Sequence, residues 1–273
     1  MNLLTIGGDL RMHYAAQALQ AAGHQVRTRG TPPLDNPFPV QEDFAFAQAW
    51  LLPLPVTYGE TVNASLPDPP TLHALAEQAR PGLTVYGGRI PPCLRELLES
   101  AGAQVEDYFT DPVLTLENAD LTAEGALCAW MQQSRTAIAG RRCAVVGYGR
   151  IARGLCRRLT ALGVQVTICA RKETALTEAR LAGCAVLPLE EEFVFPPFDA
   201  VFHTVPARIF SPAAFARLGV GVVYDLADGI PEAPGAGALV PLRGVPGRYA
   251  PRSAGEAIAR AVLRCMAQRE QTP

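Results

Sequence analysis

The stretch Val145-Val146-Gly147-Tyr148-Gly149-Arg150-Ile151-Ala152 sets a G-x-G-x-x-A pattern directly behind an apolar run that begins at Cys143. What surrounds it gives it meaning. Cys143-Ala144-Val145-Val146 reads as a buried strand, the residues from Arg150 onward as a helix, and Gln165-Val166-Thr167-Ile168-Cys169 as the next strand. In that setting Gly147 permits the tight turn, Gly149 lets the backbone approach a pyrophosphate, and Ala152 is small enough for close helix–strand packing. The helix N-terminus adds amides and a partial positive charge. An ordinary βα turn can carry two glycines as well, so the strand, turn, helix, strand context carries the reading. It is that of a Rossmann-type domain binding a nicotinamide dinucleotide.

About 20 residues past such glycines, an NAD site places an acidic side chain on the ribose. Here the strand ends in Ala170-Arg171-Lys172. Two adjacent cations without a carboxylate suit a 2′-phosphate, so NADP(H) is expected over NAD(H). The alternative is a solvated Arg171 in a domain that lacks its cofactor. Later strands are expected at Ala200–Thr204, Val222–Asp225 and Leu239–Val240. Thr204-Val205-Pro206, closing the first of these, is expected beside the nicotinamide, with Tyr148, Arg150 and Ile151 at the pyrophosphate end.

The first half repeats the alternation with different loops. Leu3 to Ile6 is a short apolar strand closed by Gly7-Gly8, followed by a helix from about Arg11 to Ala22, Gly23 as its stop, and a strand near Val26. A Pro-rich connection (Pro32, Pro33, Pro37, Pro39) leads to Ala49–Leu52, a helix-like Leu72–Arg80, a strand Leu83–Tyr86, a helix Cys93–Ser100 and Gln104-Val105. The expected fold is α/β, two doubly wound parallel-sheet domains with a cleft between them. Their bounds are 1–117 for a substrate or catalytic domain and 118–250 for the NADP domain. Residues 251–273 form a last helix, opened by an S-x-x-E capping box at Ser253 and Glu256 and packing back on the first domain.

Composition narrows the partners. The 273 residues carry 24 basic and 26 acidic side chains, so no single-sign field exists to attract nucleic acid or anionic lipid. Seven scattered cysteines, odd in number and without a CxxC pair, argue against a disulfide framework and a zinc site; no metal is expected. No secretion signal or membrane span is read, which makes the cytoplasm the default. Oligomeric state stays open, a homo-oligomer included.

Candidate chemistry gathers beyond the strand ends. Asp9 and Arg11 follow the first strand, where the second phosphate glycine is missing; they face a substrate, or else Asp9 caps the helix and Arg11 is surface. Thr122 and Glu124 are placed in the first turn of a helix spanning about Thr122 to Ser134, with Glu124 either a general base or a complement to the helix dipole. His203 is a minor candidate for acid–base work, since core and surface histidines are commoner than catalytic ones. Arg248, Arg252 and Ser253, in a loop running into the last helix, suit a carboxylate, or form a surface linker.

These pieces stand in an order that resembles the family of the dipicolinate synthase A subunit. The resemblance spans nearly the whole chain. It rests on Ile6-Gly7-Gly8-Asp9 with Arg11, Leu52-Pro53-Leu54-Pro55, Thr122-Ala123-Glu124-Gly125, Gly147-Tyr148-Gly149-Arg150 and Ala170-Arg171. Thr204-Val205-Pro206, Asp225-Leu226-Ala227, Val245-Pro246-Gly247, Ala250-Pro251 and Ser253-Ala254-Gly255 complete it. The family implies oxidation of dihydrodipicolinate to dipicolinate with NADP+ during sporulation, in the mother cell, together with the flavoprotein-like B subunit of the synthase. Such chemistry needs a positioned nicotinamide, cations for two carboxylates (Arg11 and Arg252) and a base (Glu124 or His203). The chain departs from the family pattern at His203, where Asn is usual, and at Asp228-Gly229-Ile230-Pro231-Glu232, and it is somewhat short. Those departures bear on substrate choice more than on cofactor binding.

Overall fold

The computed structural model describes residues 1–32, 40–189, 196–207, 220–227, 230 and 238–270. They form two compact units, one of residues 1–118 with 250–273, the other of residues 119–249. The Pro-rich connection from Pro33 to Pro39 and, apart from Ile230, the loop 228–235 lie outside the described residues.

In the first unit, β1 (Asn2–Ile6), β2 (Gln25–Arg29), β3 (Ala49–Leu51), β6 (Thr84–Gly87) and β7 (Gln104–Asp107) form a parallel sheet in the order β2-β1-β3-β6-β7. A two-stranded ribbon, β4 (Thr57–Tyr58) and β5 (Thr61–Val62), stands apart from it. The order turns back between β1 and β3, the position where doubly wound sheets open a ligand crevice. The central strands are buried on both faces, which is why Leu3-Leu4-Thr5-Ile6 reads as a run and not as an alternation. Helices α1 (Leu10–Ala21), α2 (Val40–Phe46), α3 (Leu72–Ala76) and α4 (Pro92–Ser100) connect the strands.

The second unit has β8 (Arg142–Val146), β9 (Gln165–Ala170), β10 (Ala185–Pro188), β11 (Phe198–His203), β12 (Val220–Asp225) and β13 (Ala238–Pro241). They are parallel, in the order β10-β9-β8-β11-β12-β13, the dinucleotide-binding arrangement with its switch point between β8 and β11. Helices α6 (Arg150–Ala161) and α7 (Glu173–Leu181) make the first two crossovers. A short α8 (Val245–Tyr249) precedes the last helix, α9 (Pro251–Glu270).

Three expectations need correction: the helix read over Leu72–Arg80 ends at Ala76, and two other helices begin earlier than read. Helix α5 runs Pro112–Ser134, ten residues earlier than read, because Asp111 accepts the Leu114 amide at 2.9 Å and Pro112 suits the first turn. Thr122 and Glu124 are therefore mid-helix, and the dipole argument for Glu124 lapses. Likewise α9 opens at Pro251, so Ser253 and Glu256 lie inside it and form no capping box. Glu256 instead accepts from Arg252 Nε at 2.9 Å.

Candidate dinucleotide site

The second unit's site is built by three strand ends. Gly147 leaves β8 with φ +96°, its amide donating to the Cys169 carbonyl at 2.8 Å. A Cβ there would lie 2.8 Å from Thr204 Oγ1 and 2.8 Å from Val205 Cγ2, so a side chain is excluded by neighbours as well as by backbone conformation. Gly149 caps α6 with no side-chain bond, and a Cβ on it would meet nothing within 4 Å. The turn thus presents an uncapped helix N-terminus to open space, a cradle whose shape and charge fit a pyrophosphate. Ala152 is buried beneath it, Tyr148 and Ile151 are half-buried, and Arg150 is exposed. Arg153, which the pattern did not single out, places its guanidinium 5.1 Å from the Tyr148 ring centre and pairs with Glu178.

At the end of β9, Ala170 is buried while Arg171 and Lys172 are exposed; neither cation makes an ion pair among the described residues. The acid next in sequence, Glu173, faces Arg180 at 3.8 Å. At the end of β11, the Thr204 amide and hydroxyl both donate to the Val146 carbonyl, at 3.1 and 2.8 Å. That bond pair fixes Thr204 and Val205 against the glycine turn, with Pro206 exposed beyond them.

His203 is fully buried, 0% exposed, and bonds through Nδ1 to Asp225 Oδ1 at 3.0 Å. Burial pushes the Asp225 carboxyl up, but the bond from His203 and the amides of Ala227 and Ile230 outweigh it and hold the group below its ordinary value. Glu124 is exposed and accepts from Arg158 Nη2 at 3.0 Å; Arg158 also binds Asp120, whose carboxyl it lowers. Thr122 is buried. Around them, Ala123 approaches Gly154 of α6, and Gly125 sits so close to Val245 and Tyr249 that a Cβ would lie 2.3 Å from Val245 Cγ1. Helix packing thereby accounts for Ala123 and Gly125 of the Thr-Ala-Glu-Gly stretch.

In the first unit, Asp9 caps α1 by accepting the Arg11 amide at 2.9 Å, and Arg11, only 5% exposed, turns its guanidinium back onto the Asp9 carboxylate at 2.9 Å. Gly255 of α9 packs against the Arg11 carbonyl, setting the first turns of α1 and α9 side by side. Arg252 and Ser253 are exposed on that turn. Sequence reasoning missed Arg89. It holds φ +56°, and Asp107 accepts its amide and those of Ile90 and Phe109 at 3.1, 3.0 and 2.9 Å. Its exposed guanidinium lies 4.9 Å from the Phe109 ring centre. The signal available was Gly87-Gly88-Arg89 directly after a strand. Among the described residues, no group of His, Cys, Asp and Glu gathers as a metal site, and no helix is long and apolar enough to cross a membrane.

Comparison with known proteins agrees with the resemblance seen in the sequence. Residues 2–109 match the family described as the N-terminal domain of the dipicolinate synthase A subunit. The chain is 22% identical over 289 residues to the dipicolinate synthase A subunit of Bacillus subtilis (strain 168), covering 98% of this chain and 96% of that one. In fold it is similar to the crystal structure, from Bacillus halodurans, of the dipicolinate synthase A subunit, with TM-score 0.78, 23% identity and 97% of each chain covered. A transhydrogenase from Sinorhizobium meliloti shares the fold at TM-score 0.65 and 15% identity, over 97% of this chain and 92% of that one.

Proposed function

We propose, from the resemblance along the whole chain to the dipicolinate synthase A subunit, that this protein is the NADP-dependent oxidoreductase subunit that converts dihydrodipicolinate to dipicolinate. The observation that carries the cofactor half is the open glycine turn at the β8/β11 switch point, together with two cations at the end of β9 that pair with no acid among the described residues. When bound, the nicotinamide supplies a hydride acceptor. Arg171 and Lys172 hold the 2′-phosphate, the α6 amides the pyrophosphate, and Thr204-Val205-Pro206 borders the nicotinamide side.

Oxidation removes a hydride from one ring carbon and a proton from its neighbour, leaving an aromatic ring. The substrate's two carboxylates call for cations, roles we give to Arg11 and Arg252 beside Asp9 and Ser253. Glu124 is assigned as proton acceptor, its carboxylate exposed and steered by Arg158. The protein works in the cytoplasm of the mother cell of a sporulating bacterium, and its partner is the flavoprotein-like B subunit of the synthase.

Because Arg11 is closed onto Asp9, Glu124 onto Arg158 and His203 onto Asp225, a second reading has support: an NADP-binding subunit that scaffolds its partner without turnover. One assay separates the two. The purified chain, with and without the B subunit, is mixed with enzymatically generated dihydrodipicolinate and NADP+ or NAD+, and reduced cofactor and dipicolinate are followed together. Equal appearance of both with NADP+ preferred supports the oxidoreductase. Binding of cofactor without either product, even with the partner present, supports the scaffold.

A further inference from the structure

The buried pair His203 and Asp225 stands at the carboxyl ends of β11 and β12, paired in register with each other, and His203 pairs with Val146 of β8 on its other side. Val146 is the last residue before the glycine turn. Among the described residues, Asp225 accepts from His203 Nδ1 at 3.0 Å and from the Ala227 and Ile230 amides at 3.1 Å each. The His203 carbonyl in turn accepts the Leu226 amide at 2.9 Å. One carboxylate and one imidazole thus tie the loop after β11 to the loop after β12. The loop after β11 is the one whose Thr204 and Val205 touch the place where a Gly147 side chain would be. A buried carboxylate costs several kcal/mol to desolvate on an order-of-magnitude basis unless fully bonded, so an ionised group kept here has its geometry fixed by those donors.

We infer that His203 is a positioning residue: through Asp225 it holds Thr204 and Val205 as the wall of the dinucleotide turn on the nicotinamide side. It touches neither cofactor nor substrate in this role. The inference rests on the dinucleotide reading above and assigns the buried pair a task within that site. Asn in place of His203 retains a donor for Asp225, whereas Leu removes it.

The test is a binding titration on the full chain, following the fluorescence of NADPH and, separately, calorimetry with 2′,5′-ADP, which has the 2′-phosphate but no nicotinamide half. His203→Leu is expected to weaken NADPH binding tenfold or more while 2′,5′-ADP stays within twofold, and His203→Asn to recover NADPH binding to within threefold. Equal weakening of both ligands would mean a general loosening of the unit and overturns the inference. So does unchanged NADPH binding in His203→Leu. Should that variant fail to fold, Thr204→Val tests the same wall without disturbing the buried pair; NADPH and 2′,5′-ADP affinities both unchanged there overturn the inference. A wild-type chain that binds neither NADPH nor NADH overturns the dinucleotide reading itself and the inference with it, whereas wild-type binding with silent variants overturns the inference alone.

Discussion

The proposed preference for NADP(H) rests on two neighbouring side chains, Arg171 and Lys172. A hydrogen bond to a charged group contributes about 1.5–3 kcal/mol, which corresponds to roughly tenfold to a hundredfold in affinity. Arg171→Ala is therefore expected to raise the Kd for NADPH at least tenfold and leave NADH within twofold; equal effects on the two cofactors would remove Arg171 from the 2′-phosphate. Lys172 is the chain's only lysine, so an amine-reactive label should find it and the N-terminus alone. Protection of Lys172 by NADPH but not NADH, read by mass spectrometry, is the expected outcome. Asp225 carries a pH prediction. Its carboxyl is lowered in the folded chain, so the folded state binds fewer protons there than the unfolded chain. The stability it contributes is complete above the ordinary carboxylate value of about 4 and is lost as pH falls through the lower folded value. Thermal melts should place Asp225→Asn well below wild type at pH 7 and close to it near the acid limit; a constant gap would contradict the assignment. At this scale the sequence was informative about identity and silent about pairing. Gly147 and Gly149 declare themselves as the β8–α6 turn because that geometry follows from neighbours in the chain. Glu124 meets Arg158 across 34 positions and His203 meets Asp225 across 22, and no local pattern encodes such partners.

Elements were legible where hydrophobic period and punctuation agreed. β1, its following helix α1 and β8 are runs closed by glycine, and the structure places them within a residue or two of the reading; β9, closed by Ala170-Arg171-Lys172, matches as well, whereas the nine-residue α7 after it is not read. Thr115, Asn118 and Asp120 are weak helix formers by propensity, so the first half of α5 carries little local signal and tertiary packing sets its start. β10, the β4/β5 ribbon and α8 went unread; each is at most five residues, too short for a period to establish itself. Helix contacts turn on glycines that sequence alone cannot interpret. Gly255 lies inside α9, where replacing glycine by alanine ordinarily gains about 1 kcal/mol of helix propensity. Here the added Cβ would stand 2.3 Å from the Arg11 carbonyl oxygen and 2.9 Å from the Ala15 amide nitrogen, both backbone atoms of α1. Overpacking of this kind costs about 1–3 kcal/mol, and with backbone on the far side the upper end applies. Gly255→Ala should lower the melting temperature by several degrees. A melting temperature at or above wild type would show that α1 and α9 part without cost.

The first unit is not a continuous piece of chain. Residues 1–118 hold its sheet, but 250–273 return to complete it, and the cluster around Leu3, Met12 and Leu19 of its amino-terminal part includes Ile258, Val262 and Met266 of α9. Burying three such side chains contributes about 1.5–3 kcal/mol each, together roughly 5–9 kcal/mol before correction for a compact unfolded state. That sum is comparable to the whole stability of a typical domain, about 5–15 kcal/mol. Among the described residues, the second unit's core cluster closes with Leu242 and Val245, and Tyr249 packs at its margin. A chain ending at Tyr249 should therefore keep the dinucleotide unit and lose the other. By hydrogen exchange, amides of β8, β9 and β11 are expected to stay protected in the truncated chain while those of β1, β3 and β6 exchange freely. NADPH binding should survive the truncation and dipicolinate formation should not, because the residues given to the substrate carboxylates, Arg11 and Arg252, belong to the first unit. Retained protection of β1 and β3 would show that the sheet of residues 1–118 folds without α9, and would move the burden of stability onto contacts within that segment.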